Sequence, residues 1–381
     1  METLEILGRL IGFDTTSARS NLALVDFVED YLTARGFTVR RFADESGEKA
    51  GLYAQIGPEG GGVLLSGHTD VVPTEGQDWR RDPFSLTVAG GRAYGRGTTD
   101  MKGFVASVLA LADRAARTRL KEPLKIVLSY DEEIGCVGIQ QMRDALAKVM
   151  GAPRLCIVGE PTEMQVAVGH KGKAALRAVC HGQSGHSALA PKFVNALHMA
   201  TDFIAALRQL QDELAEDGAR DAAYAVPYST VHVGTLEGGR ALNIVPDRAE
   251  LTFEYRYLPQ DGGSALFEKV RAAAAEVTAR YKARWPGAGI EIERTNAYPG
   301  LAVPADDPVI GLAQKLAQTN TTTKVAFGTE AGVFAGLGVP TIVCGPGSME
   351  GQGHKPDEYV TLQALAECDA MMDGVLAEIS A

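Results

Sequence analysis

GVLLSGHTD, residues 62–70, is a short apolar run bounded by glycine that releases a histidine and a carboxylate at its end. The same pattern recurs along the chain. LKIVLSY (124–130) runs into Asp131-Glu132-Glu133, RLCIVG (154–159) runs into Glu160, and TIVCGPG (341–347) is followed by His354. Apolar runs of this length between Gly, Pro or charge read as buried strands. FTVRRF (37–42) and GLYAQIG (51–57) are further strands. Helical stretches separate several of them: LALVDFVEDYLTARG (22–36), with Asn21 as its cap, KGFVASVLALADRAAR (102–117) and GIQQMRDALAKVM (138–150). Strands alternating with helices predict an α/β domain whose mostly parallel sheet is covered by helices on both faces.

The middle of the chain changes pattern. GKAALRAVCHG (172–182) is strand-like, FVNALHMATDFIAALRQLQDELAED (193–217) is a long amphipathic helix, and STVHVGTLEGG (229–239) and RAELTFEYRYL (248–258) alternate as strands. LFEKVRAAAAEVTARYKARW (266–285) is a second helix and AGIEIERTNAY (288–298) a last strand. The order β-α-β-β-α-β is that of a ferredoxin-like α+β unit. DPVIGLAQKLAQ (307–318) and the segments after it return to the first pattern, and LQALAECDAMMDGVLAEI (362–379) is a closing helix. One discontinuous domain, residues 1–169 and 296–381, is therefore expected to carry an insertion over 170–295.

Bulk properties exclude several classes. The chain has 381 residues, 45% apolar and 22% charged, with a formal net charge of -11 and no basic block. Nucleic acid is not an expected partner, because phosphate binding needs clustered Lys and Arg. No stretch approaches the roughly 18 apolar residues of a membrane span. METLEILGRLIGFD carries Glu2 and Glu5, which fits an amphipathic first helix and not a secretory signal. Five scattered cysteines, Cys136, Cys156, Cys180, Cys344 and Cys368, include no C-x-x-C pair and read as buried thiols of a cytoplasmic protein.

The chemistry lies at the strand ends. Open α/β sheets bind ligands at the carboxyl ends of their strands. Four such ends carry metal-capable groups, and Asp100 adds a fifth from the loop YGRGTTDMKG (94–103). Any one of these alone is an ordinary solvated residue. Two histidines and several carboxylates released together into one cleft would repel and raise one another's pKa values unless divalent metal neutralised them. Imidazole with carboxylate suits zinc, with cobalt or manganese as substitutes, and the lack of cysteine ligands fits a catalytic site. Five ligands, one of them a shared Asp, can hold two ions about 3.5–4 Å apart.

SGHTDVVP, YGRGTTDMKG, SYDEEIGCVG, VGEPT, FGTEAGVF and GPGSMEGQGHKPDEY together resemble the dinuclear zinc metallopeptidase family that includes aminoacylase and succinyl-diaminopimelate desuccinylase. The match runs in order through nearly the whole chain. DEEIGCVG, FGTEAG and GHKPDEY look closest to the acetylornithine deacetylase branch. The resemblance implies that His68 and Glu160 hold one zinc and Glu133 and His354 the other, with Asp100 bridging. It implies that Asp70 orients His68, that Glu132 is the general acid/base, and that the Asp100–Met101 peptide is cis. Thr99 stands where many relatives have Cys or Ala.

The same resemblance implies hydrolysis of an N-acyl amino acid, with N2-acetylornithine favoured over N-acetylcitrulline, another acyl-amino acid, succinyl-diaminopimelate or a dipeptide. It implies a homodimer through the inserted domain, and an oxyanion-stabilising role for His186, in cis or from the partner subunit; otherwise His186 is a polar histidine of a Gly/Ser-rich loop. Arg256, helped by Asn243, is a candidate for the substrate carboxylate, or pairs with Glu254 or Glu250. Glu330 either reads a cationic side chain or is structural. His170 reads as a hinge or core residue and Lys171 as solvated. A catalytically dead binding protein would lack Glu132 or a ligand, and none is missing.

Overall fold

Strand Val63–His68 is buried along its whole length, as a strand with helices on both faces must be. Leu124–Ser129 and Leu155–Val158 flank it, both parallel, and Thr341–Val343 lies parallel beyond the latter. These four form the centre of a nine-stranded sheet among the residues described by the computed structural model, 2–381. Ala50–Ile56 and Thr38–Ala43 extend one edge antiparallel. Val166–His170 extends the other and carries Leu301–Ala302 antiparallel and Thr322–Val325 parallel. The sheet is thus parallel at its centre and antiparallel towards its margins.

Period-two alternation sends Val63, Leu65, Leu124, Ile126, Leu155 and Ile157 to one face. There they join helices Thr3–Ile11, Leu22–Thr33, Lys102–Ala115, Pro308–Ala317 and Leu362–Ile379 in one apolar core. Ser66 and Ser129 point the other way and meet Glu330, which precedes helix Ala331–Gly336. The first helix buries Ile6, Leu7, Leu10 and Ile11, as an amphipathic pattern requires. Asn21 departs from expectation. It stands at the cap position without a side-chain cap bond, because its amide exchanges hydrogen bonds with the Ala50 backbone and donates to Thr69 Oγ1 at 3.0 Å.

The chain divides into two compact units. One holds the residues up to His170, Leu301–Val325 and Thr329–Ala381; the other holds Lys171–Gly300 and Ala326–Gly328. The sequence suggests seams at 170 and 295, and the contacts put them at 171 and 300. The second unit is a four-stranded antiparallel sheet in the order Thr230–Gly238, Arg248–Tyr257, Gly172–His181, Gly289–Tyr298. Helices Ala196–Glu216 and Gly263–Lys282 cover it, with Phe203, Leu207, Val270 and Val277 packed on Leu176, Leu251 and Phe253. No helix among the described residues is long and apolar enough to cross a membrane.

Candidate metal centre

The carboxyl ends of the four central strands lie side by side. Their order across the sheet, Leu124–Ser129, Val63–His68, Leu155–Val158, Thr341–Val343, presents in turn Glu132 and Glu133, then His68, then Glu160, then the loop leading to His354. Asp100 enters between strand Arg92–Tyr94 and helix Lys102–Ala115, across a cis Asp100–Met101 peptide.

Asp100 faces two imidazoles. Its Oδ1 lies 3.1 Å from His68 Nε2 and its Oδ2 lies 3.1 Å from His354 Nε2. Glu160 Oε1 is 3.7 Å from His68 Nε2, and Glu133 Oε2 is 3.0 Å from His354 Nε2. Two triads, His68–Asp100–Glu160 and Asp100–Glu133–His354, therefore share one carboxylate, with ligand atoms within 4.8 Å of one another in each. The His68 triad is fully buried, whereas the His354 side chain is 45% exposed. Glu133 Oε1 and Glu160 Oε1 are buried without a hydrogen-bond partner among the described residues. Such orphaned acceptors are costly unless a cation or donor meets them. The oxygen and imidazole donors fit divalent metal at both positions.

Proton affinities say the same. Burial drives the Glu132 carboxyl up to about 8 and that of Glu133 to about 7, with nearby carboxylates adding to the rise. Burial and the Asp100 charge also hold Glu160 well above its ordinary value. Hydrogen bonds to Asp100 and Glu133 raise His354 to about 10. Burial would lower His68, but its bonds to Asp100 and Asp70 outweigh that and raise it well above 6.5. Asp100, although buried, is held below the usual carboxylate range by His354 and His68. The metal-free cluster thus retains protons that metal ions displace on binding.

Neighbouring groups fix these ligands. Asp70 Oδ1 lies 3.5 Å from His68 Nδ1, and the Asp70 backbone carbonyl lies 3.0 Å from the same nitrogen. Asp131, at φ 52°, turns away to pair with Lys49, so of the acidic triplet Glu133 alone joins a ligand group and Glu132 lies buried beside it. The Cys136 thiol lies 3.1 Å from Glu132 Oε1. Sequence reasoning passed over Gln77, Arg96, Lys49, Cys136 and Glu358. Glu358, Cys136 and Arg96 carried a signal, as members of the motifs GHKPDEY, DEEIGCVG and YGRGTTDMKG, whereas Gln77 and Lys49 carried none.

Other candidates fall into two groups. His186 and Asn243 meet in a small ribbon of the inserted unit, where His186 pairs with Ile244 and Ser187 N–H donates to the Asn243 carbonyl at 3.1 Å. His186 Nδ1 accepts the Ala188 N–H at 3.1 Å, which puts the proton of the neutral ring on Nε2. Arg256 Nε donates to Glu254 at 2.9 Å, the pairing the sequence left open. Glu330 is 1% exposed and accepts from Ser129 and Ser66, so it ties two strands together from within and does not reach outward. Lys171 is not solvated: it is buried and donates to the carbonyls of Val226 and Tyr228. His170 is fully buried, in keeping with a core position.

Comparison with known proteins agrees with this geometry. A model of peptidase family M20/M25/M40 matches residues 64–378. The acetylornithine deacetylase of Shigella sonnei (strain Ss046) is 35% identical over 364 residues, covering 94% of this chain and 92% of that one. Among solved structures, the M20 family metallo-carboxypeptidase Sso-CP2 from Sulfolobus solfataricus superposes with a TM-score of 0.78 at 19% identity, covering 99% of this chain and 98% of that one. The aminopeptidase PepT from Bacillus cereus gives a TM-score of 0.75 at 20% identity, with the same coverage of both chains. The chain belongs to peptidase family M20/M25/M40 and is a metal-dependent hydrolase with candidate ligands for a dinuclear site.

Proposed function

We propose that this protein is a zinc-dependent deacetylase that hydrolyses N2-acetyl-L-ornithine to ornithine and acetate, a step of arginine biosynthesis. The observation that carries this reading is the 35% identity to an acetylornithine deacetylase, sustained over 94% of the chain. The two triads around Asp100 support it.

His68 and Glu160 would hold one zinc, Glu133 and His354 the other, with Asp100 shared. Bound there, the ions would polarise the acyl carbonyl and acidify water. Glu132 takes the proton of the attacking water and returns it to the departing amine. Its carboxyl, pushed up to about 8 by burial in the metal-free chain, would be lowered by cations held beside it. Asp70 keeps His68 in the tautomer that offers Nε2 to the metal.

His186, with Nε2–H available as a donor, stabilises the developing oxyanion, and Arg256 with Asn243 binds the α-carboxylate. Thr230–Gly238 is an edge strand and Ala196–Glu216 a long helix beside it. Both suit an isologous homodimer, which sedimentation would test. Five buried free thiols are consistent with a cytoplasmic setting.

The test is hydrolysis by zinc-loaded and chelator-stripped protein of N-acetylornithine, N-acetylcitrulline, N-acetylmethionine, N-succinyl-diaminopimelate and a dipeptide. Zinc-dependent turnover led by N-acetylornithine is expected. Turnover led by another member moves the substrate and keeps the chemistry.

A further inference from the structure

Three loops far apart in sequence close a polar path between two of the three candidate ligands of the more exposed metal position, Asp100 and His354. It begins at Asp100, whose backbone N–H donates to Glu358 Oε1 at 3.2 Å, beside that of Thr99 at 2.9 Å. Glu358 Oε2 accepts from Gly97 N–H at 3.0 Å and from Arg96 Nη1 at 2.7 Å. Arg96 and Glu358 are each 1% exposed, a fully buried ion pair. Arg96 Nη2 donates to Gln77 Oε1 at 2.5 Å, and Gln77 Nε2 donates to the His354 carbonyl at 3.1 Å.

The orientation of the Gln77 amide is chemically determined. Its Oε1 meets Arg96 and also Trp79 Nε1 at 3.0 Å, and both of these can only donate. Nε2 must then be the end that faces His354. That residue needs an anchor. It sits at φ 58° in an irregular loop between strands Thr341–Val343 and Tyr359–Thr361, with its side chain 45% exposed.

We propose that Gln77, through Arg96 and Glu358, is a positioning residue that sets His354 against Asp100 and thereby fixes affinity at the second metal position. The inference rests on the dinuclear reading above. Glu358 fixes the backbone of the bridging ligand, Arg96 spans the buried gap, and Gln77 carries the constraint to His354. The path meets the first position only through the shared Asp100, whereas Gln77 itself contacts a ligand of the second position alone, His354.

Gln77→Glu is the sharpest probe. The carboxylate keeps both acceptor contacts, to Arg96 and Trp79, but loses the donor and turns a charge towards the His354 carbonyl. Removing Arg96 or Glu358 singly would strand a buried charge and endanger folding. Gln77→Met is the uncharged companion. The readout is zinc uptake by metal-free protein, followed calorimetrically, with His354→Ala identifying which of two binding steps belongs to the second position. We expect that step to weaken about tenfold or more in both Gln77 variants. The other step should stay unchanged in both variants and turnover should recover at high zinc, while the melting temperature of the metal-free protein should hold in Gln77→Glu, which keeps an acceptor for Arg96 and Trp79. Unchanged second-step affinity in Gln77→Glu overturns the proposal, as does equal weakening of both steps. A wild-type chain that takes up only one zinc overturns the dinuclear reading itself, and the proposal with it.

Discussion

Asp70 Oδ1 accepts the backbone N–H of Glu132 at 3.0 Å. Its Oδ2 takes the Ser17 hydroxyl at 2.7 Å and the Glu133 N–H at 3.3 Å, while Oδ1 also faces the His68 ring. One buried carboxylate thus governs an imidazole at the first candidate metal position and the backbone of the proposed acid/base, Glu132, and of Glu133, a candidate ligand at the second. Asp70→Asn turns an amide donor towards groups that themselves donate. Zinc affinity at the His68 position should fall about 10–100-fold, and the metal-free fold should lose about 1–3 kcal/mol. Zinc titration and denaturant unfolding of the variant measure both. Wild-type zinc binding would remove Asp70 from this role.

Glu132 and Asp100 differ in kind. Glu132 belongs to neither triad, whereas Asp100 belongs to both. Glu132→Gln should therefore keep both metals and lose about 10²–10⁴-fold in kcat. Asp100→Ala should lose metal as well as turnover. Metal analysis beside kcat separates the two, and near-normal kcat in Glu132→Gln would reassign the proton transfer.

The cluster was legible in the sequence because most of its members follow an apolar run, at its end or in the loop after it, while Asp100 adds itself from a Gly-rich loop. His68, Glu133, Glu160 and His354 follow from that rule together with the parallel order of the strands. Gln77, Arg96 and Glu358 do not. Their importance arises when loops some 260 residues apart meet, and no local pattern encodes such a meeting. Asn21 looked like a helix cap because the residue type suits one, yet the backbone of Ala50 was the stronger claimant for its amide. Lys171 looked solvated because a charge beside a glycine usually is. Its carbonyl partners come from a segment some 55 residues away.

Gly345 marks a close approach at the site floor. A Cβ there would stand 2.0 Å from the Gly159 carbonyl oxygen and 2.7 Å from that of Glu160. Both are backbone atoms of the segment that aims Glu160, so neither can swing aside. Gly345→Ala should destabilise the protein by about 1–3 kcal/mol or more and weaken the first zinc by displacing Glu160. Thermal melting with and without zinc checks this: a variant as stable as wild type, with intact first-site affinity, would show that the crossing can spread without cost.

Glu330 gives a pH dependence separable from the metal ligands. Burial drives its carboxyl from the ordinary 4.5 up to about 7, although hydrogen bonds from Ser129 and Ser66 and the His68 charge pull it back. A raised folded-state value means that the folded protein holds this proton more tightly than the unfolded chain. The resulting stability is complete below about pH 4.5 and is lost as pH rises towards 7. The loss amounts to something on the order of 3 kcal/mol once the group is ionised in both states. Glu330→Gln cannot ionise and can still accept from one serine while the other hydroxyl reverses to accept from its amide. Denaturant unfolding of metal-free wild type and variant should therefore agree near about pH 5 and diverge by about pH 8, with the variant the more stable. Glu132 and Glu133 titrate in the same window, and the Glu330 charge itself raises Glu132, so the comparison is made in a Glu132→Gln background, where that coupling is absent. Equal stability at both pH values would mean that the two serines stabilise the ionised carboxylate enough to offset its burial.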